Sequence, residues 1–234
     1  MLKTSVPEVG MLVGSLNKQA EGLQAAAQMK QSGKPAETDE AVRQMLQRAS
    51  DLVRASGALG EQRNSIALAV LSRAILENFI LMLWVQVAAD NAATLKQMAV
   101  AELVRAAKVN FEKGKARIVD RQNGEDATVK FLQSERFKNL PKRVSIETRA
   151  KEAGVEDLYT VFYRFMSLDI HGHNFLQGNE KTDDVTVMHL QGIGALVLAS
   201  GHVGVRWLIH RQRTDNETLR VMLGFELDET PTTR

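Results

Sequence analysis

Residues 155–175 read VEDLYTVFYRFMSLDIHGHNF and contain the densest aromatic run of the chain. If residues 156–170 form a helix, successive side chains turn by about 100°, so the large apolar residues fall on two neighbouring stripes of the helix surface. A helix with two apolar stripes must bury most of its surface. The pattern therefore predicts a central helix over residues 155–171.

A third stripe of this predicted helix carries the polar residues Arg164, Ser167 and His171. Arg164 and His171 are two helical turns apart, so they point nearly the same way with their Cα atoms about 10 Å apart along the axis. A histidine with an ordinary pKa of about 6.5 transfers protons at neutral pH, and an arginine stays charged. The pair therefore indicates metal-free attack of an RNA 2′-hydroxyl on its own phosphodiester. Since this stripe holds one histidine, a homodimer would supply both an acid and a base.

The other predicted central helix spans residues 64–89, antiparallel to the first. Its buried stripe is apolar except for Arg73 and Glu77, which are four residues apart. One interpretation is an ion pair within the helix. The other is that Glu77 or Arg73 faces His171 and orients its imidazole, so Glu77 is a candidate supporting residue.

Composition favours an all-α, single-domain protein, a helical bundle. The 234 residues are 44% hydrophobic and 25% charged, with four Pro and no Cys, and alternating β-branched runs are few. Residues 1–36 are predicted to form an N-terminal helical arm, residues 37–225 the bundle and residues 226–234 a flexible tail. Further helices are expected near residues 38–57, 92–118, 127–139, 145–153 and 192–212.

The cellular compartment is inferred from features that are missing from the sequence. Without cysteine there is neither a disulfide framework nor a thiolate metal site, and the first residues do not resemble a signal peptide. The apolar stretch 78–89 is too short to cross a bilayer, and the stretch 192–209 is interrupted by charge and glycine. We therefore expect a cytoplasmic protein without a membrane contact.

Two further polar features bear on ligands. A basic patch surrounds Pro141 and either guides an RNA backbone or forms a solvated turn. Its residues are Arg136, Lys138, Lys142 and Arg143. His171 and His173 would be half of a metal site, but no other histidine has the spacing to complete it, so neither a metal nor another cofactor is expected.

Two blocks carry a resemblance to known proteins. RAILENFILMLW, residues 73–84, and LYTVFYRFMSLDIHG, residues 158–172, resemble an uncharacterised bacterial family of helical proteins, a domain of unknown function, over residues 64–177. Arg164 with six residues before His171 also resembles the signature of the higher eukaryotes and prokaryotes nucleotide-binding (HEPN) superfamily. Phe165 departs from that signature, which usually has Asn, Asp or His directly after the arginine.

The second resemblance implies a metal-independent ribonuclease of a bacterial toxin or phage-defence system. Its partners would be a second copy of the chain, RNA and a cognate antitoxin or defence protein. The implied roles are His171 as general acid or base and Arg164 on the phosphate, with Ser167 and Glu77 in support. The alternative is a non-catalytic helical module that binds a protein partner or a small ligand. A purely structural stripe is also open, with Arg164 paired to Glu77 or Glu156 and His171 capping its helix.

Overall fold

The computed structural model describes residues 6–29, 34–134, 141–163 and 182–212, and over these residues the chain is all-α. The predicted fold class, a helical bundle, is confirmed. Within these ranges the strand-like pairing is limited to an isolated bridge between Val119 and Asp126. The helices are α1 Val6–Ala27, α2 Glu37–Glu61, α3 Ser65–Val87, α4 Asn91–Glu112, α5 Thr128–Leu132, α6 Ile146–Glu152, α7 Glu156–Leu158 and α8 Thr182–Gln212, with a π-helical turn at Tyr159–Tyr163 after α7.

Four long helices, α1, α2, α3 and α8, enclose the core. α2 and α8 each pack against the other three members of this group. Burial of apolar side chains from all four is the main source of stability. The large side chains that are fully buried include Leu16, Leu23, Leu46, Leu68, Ile75, Leu76, Ile80, Met82, Leu190, Ile193 and Leu208.

The beginnings of two helices are set by local chemistry. Asn64 caps α3, because its Oδ1 accepts a hydrogen bond from the backbone N of Ala67 at 3.1 Å. Ser145 caps α6 in the same way, through its Oγ and the backbone N of Thr148 at 3.0 Å. Each cap satisfies an N–H that the first turn of a helix cannot pair. Both helices therefore begin next to the residues from which the sequence predicted them.

The segment predicted as an N-terminal helical arm, residues 1–36, contains α1, which packs along the bundle. α1 contacts α2 and α8, and Leu16, Ala20 and Leu23 are buried in the shared core. Ser50 of α2 donates a hydrogen bond to the backbone O of Ala20 at 2.7 Å. The apolar residues of α1 recur at helical spacing, so α1 covers a face of α2 that would otherwise be exposed.

Among the described residues, α3 packs mainly against α2 and α8. The described part of the predicted helix 155–171 is one α turn, α7, followed by the π turn at Tyr159–Tyr163. No residue of either turn is fully buried, and their aromatic side chains pack at the edge of the core. Residues 164–171, the rest of that predicted helix, lie outside the described residues.

α3 and α8 are long and apolar enough, over Ser65–Val87 and Asp184–Ile209, to cross a bilayer by length and composition. A core helix of a folded domain meets the same criterion. In this fold the two helices pack against each other and both pack against α2.

Gly204 of α8 allows close helix packing. A Cβ at Gly204 would lie 2.7 Å from Cδ2 of Leu46 in α2. Gly192 in the same helix differs, because a Cβ there would meet no atom within 4 Å. Gly204 therefore faces α2 closely, whereas Gly192 faces open space.

Replacing Gly192 with Ala is expected to raise the free energy of unfolding by about 1 kcal/mol, because alanine favours the helix interior over glycine by that amount. The measurement is urea unfolding followed by circular dichroism, compared with the wild type. A loss of stability would show that the new methyl group meets a neighbour, contrary to the open space found there.

Candidate functional site

A cleft of about 1060 Å³ lies between α2, α3, α4 and α6, with the π turn at its edge. It forms because α4 is anchored by few buried residues, Ala92, Met98 and Ala101 among them, and so does not fill the space beside α2 and α3. The cleft is of the size that encloses small molecules or part of a polymer. Its lining is partly apolar, with Met45, Leu81, Leu95, Val144 and Ile146.

Positive charge predominates on the wall of this cleft. Among its lining residues five are cationic and two are anionic. Lys96, one of these cations, is paired with a residue that is not part of the lining, because it contacts Glu37 at 3.2 Å. Like charges in a concave wall of low dielectric attract ligands of the opposite sign. The cations are Arg48, Arg73, Lys96, Arg143 and Arg149, and the anions are Glu77 and Glu102.

Arg73 connects α3 to the π turn. Its Nε lies 3.1 Å from Oε1 of Glu77, so the ion pair predicted within this helix is confirmed. Its Nη2 donates a hydrogen bond to the hydroxyl of Tyr163, and its guanidinium carbon lies 4.2 Å from the centroid of the Tyr163 ring. An arginine over an aromatic face gains cation–π attraction. Arg73 therefore fixes both Glu77 and Tyr163 at the edge of the cleft.

The rings of Tyr159 and Tyr163 pack against each other on the wall of the cleft. Their ring centroids are 4.6 Å apart with a tilt of 31°. Burial raises the pKa of Tyr159, and the nearby Tyr163 raises it further. The phenol of Tyr159 thus stays protonated at neutral pH and can donate a hydrogen bond. Aromatic faces next to cations are the arrangement on which nucleic-acid bases stack.

Arg149 of α6 also lines the cleft. Its guanidinium carbon lies 5.2 Å from the centroid of the Trp84 ring, and its Nη2 donates to the sulfur of Met98 at 3.0 Å. Burial lowers the pKa of Arg149, the charge of Arg143 lowers it further, and Glu152 acts in the opposite direction. The guanidinium of Arg149 is thus half-buried between a thioether sulfur and an aromatic ring.

Residues 39–183 match the family of unknown function DUF5677. This chain belongs to that family. No curated protein and no solved structure matches the chain. The prediction of an uncharacterised family is therefore confirmed. The match covers a longer segment than the two sequence blocks from which the family was predicted.

The DUF5677 segment contains the whole cleft. Every lining residue lies between Ala41 and Tyr163, whereas α1 and all but the first residues of α8 lie outside residues 39–183. The cleft is therefore built from the part of the chain that defines the family.

The predicted site residues fall into two groups within this DUF5677 segment. Glu77 and Arg143 line the cleft, and Lys142 is exposed beside it without being part of the lining. The remaining predicted residues lie outside the described residues. These are the catalytic candidates His171, Arg164 and Ser167 and the basic residues Arg136 and Lys138. The second interpretation of Glu77, contact with His171, concerns one of them and stays a prediction.

Sequence reasoning missed Arg48, Arg149 and Tyr159 as lining residues. Arg48 is exposed on α2, and among the described residues it makes no ion pair. A cation on a solvated helix face has no sequence signal that separates it from any other surface charge. For Arg149 the sequence offers only the helix cap at Ser145. That cap predicts where α6 begins and does not indicate which part of the molecule α6 contacts.

Among the described residues no group of three or more His, Asp or Glu is arranged to hold a metal ion.

Proposed function

We propose that the protein is a metal-independent, HEPN-like RNA-cleaving protein of a bacterial toxin or phage-defence system, and that RNA binds in the cationic cleft. One observation supports this best: a cleft of about 1060 Å³ with more arginine than carboxylate on its wall includes Tyr163, the residue directly before Arg164 in the chain. Phosphodiesters are the commonest polyanions that such a wall attracts. The cleft and the motif are therefore contiguous in sequence.

The proposed reaction is transesterification. His171 removes the proton of a ribose 2′-hydroxyl, and the 2′-oxygen attacks the adjacent phosphorus. The bond to the 5′-oxygen breaks, and that oxygen takes a proton from the acid, His171 of a second copy in a homodimer. Arg164 stabilises the charge that develops on the phosphoryl oxygens. The products are a 2′,3′-cyclic phosphate and a 5′-hydroxyl, with no net oxidation or reduction.

The described part of the cleft would bind and position the RNA. Arg73 holds Glu77 and Tyr163 in fixed orientations, and the Tyr159 ring offers a face for a base. Arg48 and Arg143 are exposed and can follow the backbone. Such contacts place the substrate before reaction, which lowers the entropic part of the barrier.

Replacing His171 with Ala is expected to abolish RNA cleavage, and Arg164→Ala is expected to reduce it at least a hundredfold. The assay incubates purified protein with total bacterial RNA in excess EDTA, and the ends of the products are tested for cyclic phosphate. His202→Ala is the matched control, since His202 is an exposed histidine on α8, outside the cleft lining. Expression in bacteria should arrest growth with the wild type and not with His171→Ala.

Two results would reject the enzyme. One is a folded wild-type protein that cleaves no RNA, and the other is equal cleavage by wild type and His171→Ala. The first result together with tight binding of an anionic molecule would establish the alternative, a non-catalytic helical module. That alternative is favoured by the volume of the cleft, which is close to what a single small ligand requires.

A further inference from the structure

Arg149 lacks the partner that a half-buried cation normally has. Its Nε is sealed from solvent with no hydrogen-bond acceptor, and over the described ranges its guanidinium contacts the sulfur of Met98 and the ring of Trp84. The Nε of the half-buried Arg43 of α2 is sealed in the same way, but its Nη1 donates to the backbone O of Ala27 at 2.9 Å and to that of Met29. Withdrawing a cation from water without an anion is unfavourable.

A second guanidinium, that of Arg143, lines the same cleft. Burial lowers the pKa of Arg149, and repulsion from Arg143 lowers it further. The carboxylate that Arg143 contacts, Glu102 at 3.5 Å, also pairs with Arg105 at 2.8 Å, so its charge is shared. Glu152, three residues after Arg149 on α6, accepts the indole N–H of Trp84 at 2.6 Å. Positive charge is therefore in excess at this corner of the cleft.

The side chain of Arg149 is also held in place. Trp84 is buried and fixes one face of the guanidinium, and Met98 is buried beneath Nη2. An arginine fixed in this way loses little further freedom when it binds a ligand, and its planar group matches two oxygens of a phosphate. Arg143 has an 80% exposed side chain and can move toward the same ligand.

We propose that Arg143 and Arg149 form a phosphate-binding subsite at the α6 side of the cleft, which receives a phosphate of a nucleotide or of an RNA backbone. The subsite rests on the proposed function where the phosphate belongs to RNA that is cleaved nearby. A phosphate between the two guanidinium groups would remove their repulsion and supply the missing acceptors. It would act in binding, apart from the chemistry assigned to His171.

The test measures binding of three probes by titration calorimetry at low salt: AMP, adenosine and a 2′-O-methyl RNA decamer that cannot be cleaved. The wild type is expected to bind AMP or the decamer and not adenosine. Arg149→Gln and Arg143→Gln should each weaken that binding at least tenfold, as for loss of a hydrogen bond to a charged group. Binding of AMP identifies a nucleotide as the source of the phosphate, and binding of the decamer alone identifies RNA.

Lys151→Gln is the matched control, because it removes the same charge from an exposed residue of α6 that does not line the cleft. Its affinity should stay within twofold of the wild type. Arg149→Lys keeps the charge without the planar fork and should give an intermediate affinity. If Arg149→Gln does not fold, Arg143→Gln decides, since its side chain is largely exposed.

The subsite would be rejected if the wild type bound none of the phosphate probes, if the two arginine variants bound them as the wild type does, or if Lys151→Gln lost as much affinity. Binding is independent of cleavage, so the two proposals fail separately. Wild-type binding without RNA cleavage would retain the subsite and reject the enzyme. Cleavage by Arg149→Gln with an unchanged KM would retain the enzyme and reject the subsite.

Discussion

Replacing Trp84 with Ala is expected to lower the free energy of unfolding by about 3–5 kcal/mol, the range found when a buried Trp side chain is removed. Trp84 is 2% exposed and links α3 to α6. Its indole N–H donates to Glu152 at 2.6 Å, and its ring carries the guanidinium of Arg149. The variant therefore loses core packing and both contacts to α6.

The matched variant is Trp84→Phe, which keeps an aromatic face for Arg149 and removes the hydrogen bond to Glu152. It should cost much less, with about 1 kcal/mol from the lost hydrogen bond. Urea unfolding gives the free energies, and hydrogen exchange of the amides of Ile146–Glu152 reports on α6. Fast exchange of those amides in Trp84→Ala, with slow exchange in Trp84→Phe, is the expected pattern. A loss below 1 kcal/mol in Trp84→Ala would show that α6 is held by other contacts.

Replacing Gly204 with Val is expected to lower the free energy of unfolding by about 3 kcal/mol, at the upper end of the effects of overpacking a core. A Cβ at this position would lie 2.7 Å from Cδ2 and 3.0 Å from Cγ of Leu46. Leu46 is fully buried, so it has no free space into which it can move. The branched side chain would therefore separate α2 from α8.

The same substitution at Gly192, in the same helix, is the control and should change stability by well under 1 kcal/mol, because nothing lies within 4 Å of its Cβ position. A double-mutant cycle with Leu46→Ala tests the cause. Gly204→Ala should destabilise the wild type, and it should stabilise the Leu46→Ala background, where helix propensity alone acts. Equal effects in both backgrounds would contradict the proposed contact between Gly204 and Leu46.

The sequence predicts contacts between residues that are close in the chain, and it leaves open which helices pack against each other. Asn64 and Ser145 as helix caps, and the Arg73–Glu77 pair, involve residues within four positions of each other, so helix geometry alone indicates them. The packing of α3 against α2 and α8 depends on which apolar faces meet. Periodicity shows that a face is buried and does not show against which helix.

The same division holds in the candidate site. Glu77 was predicted because it interrupts an apolar stripe, which is visible in the sequence. Arg149 was not predicted, because its contact with Met98 joins residues 51 positions apart. The sequence predicts a regular α-helix through Tyr159 and Tyr163, because a period of about 100° per residue cannot reveal a π turn. The catalytic candidates of that helix lie outside the described residues and stay predictions.

The π turn at Tyr159–Tyr163 has a consequence for how this part of the molecule tolerates length changes. A π turn contains one residue more than the α turn that it replaces. Loss of a single amino acid there, such as the exposed Val161, would let the backbone revert to ordinary α geometry. The phenol of Tyr163 would then rotate away from the guanidinium of Arg73, although every side chain in that contact would still be present. The contact between them therefore depends on the number of peptide units as much as on which residues occupy the turn.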